Sequence, residues 1–169
     1  LLVFTFVLST MSIGGSSDAV AKMQFEVTIS PNVSPDAVTG RMFLILTRDN
    51  SREPRLQVAR YSPQLFGVDV DQLEAGKSVT IDEQTLGYPI NGLKDLPAGD
   101  YYIQGVFNKY TRFNRSDGHT LWMHMDQWEG QNWRRSPGNF FSEVQKFTHD
   151  PNKSQTIELV TSQTIPPIE

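Results

Sequence analysis

"MQFEVTIS", residues 23–30, decides the fold class. Met23, Phe25, Val27 and Ile29 fall on one side of an extended chain, and Gln24, Glu26, Thr28 and Ser30 on the other. A period of two is the signature of a strand with one buried face. Working outward, "RMFLILTR" (Arg41 to Arg48) is nearly all apolar between Gly40 and Asp49-Asn50, as expected of a central strand. "KSVTID" sets Val79 and Ile81 against Ser78, Thr80 and Asp82, and "SQTIELVT" sets Ile157 and Leu159 against Thr156 and Glu158. "FGVDV" and "EVQKF" are weaker strands, "QVARYS" is a short strand candidate, and "TLGYPINGLKDL" carries the Gly and Pro signals of a loop.

"LPAGDYYIQGVFNKY" is the sharpest local signature. A Pro-Ala-Gly turn feeds a Tyr-rich strand from Tyr101 to Tyr110. A Tyr just past such a corner can pack inward while its hydroxyl bonds to upstream backbone, and Tyr101 is the candidate. No stretch holds a helical period. About seven short strands separated by turns predict an all-β fold: an immunoglobulin-like or transthyretin-like antiparallel β-sandwich with one long aromatic-rich loop over residues 111–142.

The chain has 169 residues, enough for one domain with a sizeable core. Fifteen Lys and Arg against nineteen Asp and Glu give a net charge of −4, which speaks against bulk nucleic-acid binding. Cys is absent, so no disulfide, thiolate nucleophile or Cys-type zinc site is possible. "LLVFTFVLSTM" has the length of a signal-peptide apolar core, and Ala19-Val20-Ala21 is a small-residue cleavage pattern. The expectation is a truncated signal over 1–21, removed after Ala21 with no stable membrane insertion, and a secreted or periplasmic mature chain. The β-sandwich is expected over 22–161. Residues 162–169, ending around Pro166-Pro167, read as a linker.

Motifs for catalysis are sparse. "GGSSD" lacks the last Gly of a nucleophile elbow, and there is no His-Glu-x-x-His. "VDVDQLE" places Asp69, Asp71 and Glu74 close together but misses the Gly and Glu of a calcium loop, and reads as a solvated strand face.

The richest stretch is "HTLWMHMDQWEGQNWRRSPGNFF", His119 to Phe141, which holds all three Trp of the chain. Trp122, Trp128, Trp133, Arg134, Arg135 and Phe140 are the candidates for an interface or a ligand surface: exposed aromatics mark contact sites, and arginines pair with carboxylates. Part of this aromatic supply must organise the loop itself, because a long excursion needs its own small core. His119, His124 and Asp126 are ligand types that zinc accepts. His119 and His124 would point to opposite faces of a strand, or lie about 140° apart on a helix, so only irregular backbone could gather them. No metal and no cofactor are therefore expected.

Across "GRMFLILTRDNSREPRLQ", "FGVDVDQLEAG", "TLGYPINGLKDLPAGDYYIQGVFNKYTRFNRSDGHTLWMHMDQWEGQNWRRSPGNFFSEVQK" and "IPPIE", the chain resembles the N-terminal region of secreted bacterial esterases. In those proteins a β-sandwich precedes an α/β-hydrolase domain. The resemblance implies a non-catalytic accessory domain whose partner is a hydrolase domain further along the same polypeptide. The catalytic Ser, Asp and His would lie in that domain, so none is assigned here. The alternative expectation is a carbohydrate-binding module presenting Trp122, Trp128 and Trp133 to a glycan.

Overall fold

The structure, a computed structural model, describes residues 22–60 and 63–169. The expected signal segment, and Tyr61-Ser62 of the short strand candidate, lie outside the described residues. Strand β1 (Met23–Ile29) alternates buried and half-buried positions throughout, as its sequence requires. The other strands of the body are β2 (Val38–Thr47), β3 (Gln64–Leu73), β4 (Ser78–Ile81), β5 (Gly87–Tyr88) and β6 (Gly99–Lys109), followed by β9 (Phe140–Ser142), β10 (Gln145–His149) and β11 (Gln155–Thr164). Between β6 and β9 lie β7 (Thr111–Asn114) and β8 (Thr120–Met123), which among the described residues pair only with each other.

The body is one hydrogen-bonded sheet in the order β4-β1-β11-β9-β6-β2-β3-β5, with β10 on the same side of β6 as β9. It folds over on itself into an all-β sandwich. β9 bonds to β11 on one side and to β6 on the other, joining the leaf β4-β1-β11 to the leaf built on β6, β2 and β3. Phe25 of β1 meets Phe147 of β10 edge to face at 5.5 Å. A Cβ added at Gly105 of β6 would lie 2.8 Å from Val27 Cγ1, so the leaves touch there without room for a side chain. Among the described residues, pairings are antiparallel except between β1 and β11, which run parallel from Met23–Gln155 to Ile29–Thr161.

The main core gathers Phe25, Val27, Ile29, Met42, Leu44, Leu46, Phe66, Ile103, Phe107 and Phe140, among others. A second, smaller cluster on the back of β2 and β6 holds Ile45, Val106, Phe141 and Ile165, with Phe43, Val58, Leu65 and Trp133 packed on it. Two clusters explain why β2 is apolar without interruption from Met42 to Leu46, since both of its faces are covered there. Tyr101 is buried, and its hydroxyl donates to the Pro97 carbonyl at 2.7 Å, the corner bond anticipated for it.

Several expectations need correction. Residues 54–57 form a short helix, α1 (Pro54–Gln57), and the chain leaves it at Val58 without entering a strand. Arg55 N–H donates to the buried Gln104 side chain, and Gln57 donates to the Asp49 and Arg52 carbonyls, bonds that favour a tight turn over a ladder. The span 85–96 contains β5 and a 3₁₀ turn, Leu93–Asp95. Residues 111–142 are not one loop, because β7, β8 and β9 lie within them. β11 runs through the expected linker boundary at residue 162: Gln163 and Thr164 pair with Phe141 and Phe140, and Ile165 is buried. Among the described residues, no helix is long and apolar enough to cross a membrane.

Candidate functional site

At Tyr110 the chain leaves the sandwich, and β7 and β8 form a projecting hairpin. Thr111 faces Met123, Arg112 faces Trp122, Phe113 faces Leu121 and Asn114 faces Thr120. Its turn closes with Gly118 at φ +84°, where the amide of Gly118 bonds the Arg115 carbonyl at 3.1 Å. Asp117 anchors the tip by pairing with Arg115 and His119 and by accepting the His119 N–H. Every residue of β8 is exposed, including Leu121, Trp122 and Met123.

Beyond β8 the chain turns back at His124, whose ring is clamped between two oxygens: Nδ1 lies 2.9 Å from Asn108 Oδ1 and Nε2 lies 2.8 Å from Glu129 Oε1. Asn139 fixes the donor directions. Its Oδ1 accepts the Lys109 N–H, so its Nδ2 donates to Asn108 Oδ1, which must then act as an acceptor toward His124 as well. Both ring nitrogens of His124 thus lie within hydrogen-bond distance of an oxygen, one of an amide and one of the Glu129 carboxyl. Burial alone would raise the Glu129 carboxyl, but the Gln127 N–H, the His124 ring and neighbouring donors outweigh it and hold the group below its ordinary value.

This clamp supports a tight loop. Trp128 at φ +73°, Gly130 at +71° and Gln131 at +62° all adopt left-handed backbone, and Asp126 accepts the Gly130 N–H at 3.2 Å. Left-handed geometry costs an ordinary residue about 1–2 kcal/mol, so the side-chain bonds around Trp128 are what hold it there. The result thrusts Trp128 into solvent with 96% of its surface exposed.

Trp133 does the opposite. It stacks on Phe43 at 4.3 Å with the rings 23° apart and joins the second cluster. Arg134 donates to the Val58 carbonyl and to Asn132 Oδ1, while Arg55 reaches the Arg134 carbonyl at 2.6 Å and covers the Phe141 ring at 4.3 Å. Residues 132–136 are therefore riveted to the back of β2 and β6.

The predicted site residues thus divide. Trp122 and Trp128 are exposed and line different grooves. Trp133 and Arg134 serve the fold, and Arg135 stays exposed beside them. Phe140 is not a surface residue: it is buried in β9 and stacks on Phe107 at 6.0 Å, so it offers no contact surface. His119, His124 and Asp126 do not converge, since each is engaged with its own partners. Among the described residues there is no group of three or more His, Asp or Glu able to hold a metal ion.

Three grooves flank the arm among the described residues; the one lined by Lys109, Thr111, Met125, Gln127, Pro137, Gly138 and Asn139 is mostly polar, and the other two hold the exposed Trp side chains. One, about 380 Å³, is lined by Met125, Asp126, Gln127, Trp128, Pro137, Pro167 and Ile168. The other, about 250 Å³, lies where the hairpin leans over β2 and β3, and is lined by Thr39, Gly40, Asp69, Val70, Asp71, Tyr110 and Trp122. Asp69 pairs with Arg41 at 2.8 Å, and Asp71 accepts from the Thr39 hydroxyl at 2.8 Å. Burial and the Asp69 carboxylate raise the Tyr110 phenol above its ordinary value, which keeps its hydroxyl a donor. Sequence reading missed Tyr110, Met123, Met125 and Ile168 as surface residues. The only signal for Asp69 and Asp71 was their spacing of two on a strand.

No protein-family model matches the chain, and no curated protein matches it. Among solved structures it is similar to the crystal structure of BcpA, the major pilin subunit of Bacillus cereus, with 17% identity and a TM-score of 0.25 over 84% of this chain. The match covers 31% of the pilin subunit's own length.

Proposed function

We propose that this chain is a non-catalytic interaction domain of an exported protein, and that its aromatic arm docks on a neighbouring folded domain. The partner we infer is the hydrolase domain that the esterase resemblance implies. One observation carries the reading: Leu121, Met123, Met125, Trp128 and Ile168 are all exposed, and Met125, Trp128 and Ile168 line one groove. Apolar surface concentrated in this way usually marks a contact site, and a rigidly presented Trp is the common energetic centre of such contacts. Strained backbone around Trp128 adds support, because the fold sustains left-handed geometry to display a side chain that its own core does not use.

Two measurements test it. The chain expressed alone is expected to hydrolyse no ester, and turnover abolished by a substitution within 119–135 would overturn the non-catalytic assignment. Hydrogen exchange of residues 120–131 is expected to be slower in the complete gene product than in the isolated chain. Equal exchange in the two would remove the docking role.

A further inference from the structure

The groove between the hairpin and the sandwich is separate from the proposed docking face. Alternation along β8 sends Leu121 and Met123 to one side of the hairpin and Trp122 to the other. Trp122 there shares the groove with Tyr110, Asp69 and Asp71. The two carboxylates lie on one strand face and are each held by one oxygen: Asp69 by Arg41, itself anchored to the Gly67 carbonyl at 3.2 Å, and Asp71 by Thr39, which also receives the Gln72 N–H at 3.1 Å. Each carboxylate keeps its second oxygen outside these bonds.

We propose that this groove binds one ring of a neutral sugar, its apolar face against Trp122 and its hydroxyls donating to Asp69 and Asp71. Three features select this occupant. The groove, at about 250 Å³, falls below the roughly 300–1,000 Å³ of pockets for larger ligands, which suits a single ring. Aromatic side chains offer the flat apolar surface that a pyranose presents on its C–H face, while fixed carboxylate oxygens match its hydroxyl donors. Asp71, bound to the Thr39 hydroxyl, leaves the groove one net negative charge, while Asp69 already faces the Arg41 guanidinium. A cation would compete with Arg41 for that carboxylate, whereas a neutral polyol uses the oxygens that remain.

The test is a nitrogen-15 NMR titration of the purified chain, following the three indole N–H resonances, with Trp122 and Trp128 assigned by W122F and W128F. The probes are glucose, galactose, mannose, xylose and N-acetylglucosamine, with tetramethylammonium as the cationic control. The expected result is saturable movement of the Trp122 indole and of the Gly40 and Val70 amide signals with at least one sugar; affinity falls roughly tenfold or more in Asp71→Asn and, read from those two amides, in Trp122→Ala, and is unchanged in Trp128→Ala. The dispersion of the same spectra shows whether each variant is folded, and Trp122→Ala stands alone if Asp71→Asn is not. Movement with no sugar, movement confined to Trp128, or movement with tetramethylammonium alone would overturn the proposal. Because the experiment needs no partner domain, it succeeds or fails independently of the docking role.

Discussion

A single carboxylate decides whether the arm keeps its shape. Glu129 is nearly enclosed, with 3% of its side chain exposed, and it receives the His124 ring and the Gln127 N–H at 2.8 Å and 2.6 Å. Its carboxyl is held below the ordinary value of 4.5, so the folded loop favours the ionised form. A group depressed in this way contributes stability that is complete above its unfolded value and is lost as the pH falls through the folded one. Exchange of the amides of residues 125–131 is therefore expected to accelerate below about pH 4.5, before the sandwich itself opens. Glu129→Gln should remove that acid step and cost about 1–3 kcal/mol in urea denaturation at neutral pH. An unchanged acid profile in the variant would show that another group controls the loop. The two tryptophans nearby give an opposite pair of outcomes. Trp133→Ala strips the stack on Phe43 and opens the second cluster, a loss of about 2–3 kcal/mol. Trp128→Ala touches a side chain in open solvent and is expected to change stability by no more than about 0.5 kcal/mol. Denaturation midpoints of the two variants measure the contrast.

At the scale of elements, the closest approach is where β2 crosses the end of β6. A Cβ at Gly40 would stand 2.2 Å from the Asn108 carbonyl oxygen and 2.9 Å from Phe107 Cζ. Backbone oxygen cannot swing aside, so Gly40→Ala must part the two strands at their Gly40–Lys109 pair. The expected loss is about 1–3 kcal/mol, read by thermal unfolding. The Asn108 side chain is also expected to shift, which would release His124 and perturb the arm's NMR signals. How much of each element could be read from sequence follows from which faces it buries. β1 alternates because one face meets the core, and β2 is apolar from Met42 to Leu46 because both of its faces are covered there. β8 is exposed on both sides, so burial imposes no period on "TLWM" and the hairpin is invisible to pattern reading. Asp69, Asp71 and Gln72 made β3 look finished at Val70, although its outer half lies mostly open to solvent and tolerates polar residues. For the candidate site, composition located the region but could not rank its aromatics. Trp128 and Trp133 sit in similarly polar stretches, and what separates them is a left-handed turn and a Phe lying ninety residues earlier in the chain.

For the whole molecule, the closing strand couples the sandwich to the arm. β11 pairs in parallel with β1 through Thr161, shifts register, and then continues along β9 with Gln163 opposite Phe141 and Thr164 opposite Phe140. The next residue, Ile165, exchanges backbone bonds with the arm's base: Gly138 N–H to its carbonyl and its own N–H to Asn139, each at 2.9 Å. Its side chain enters the cluster that holds Trp133. Asn139 in turn orients Asn108 and hence His124, so four residues past Thr161 secure the base of the whole aromatic excursion. A chain ending at Thr161 should still form the β1–β11 ladder, yet lose the about 1.5–3 kcal/mol that burial of one Ile supplies, together with its backbone bonds. Each kcal/mol corresponds to about 2–4 °C in a domain of this size, so a fall in Tm of several degrees is expected. Trp fluorescence should move to the red as Trp133 meets water. A chain ending at Ile165 should match the full chain in both measurements. If the two shortened forms were equally stable, residues 162–165 would be dispensable to the domain, and the arm would have to be held by its own hydrogen bonds alone.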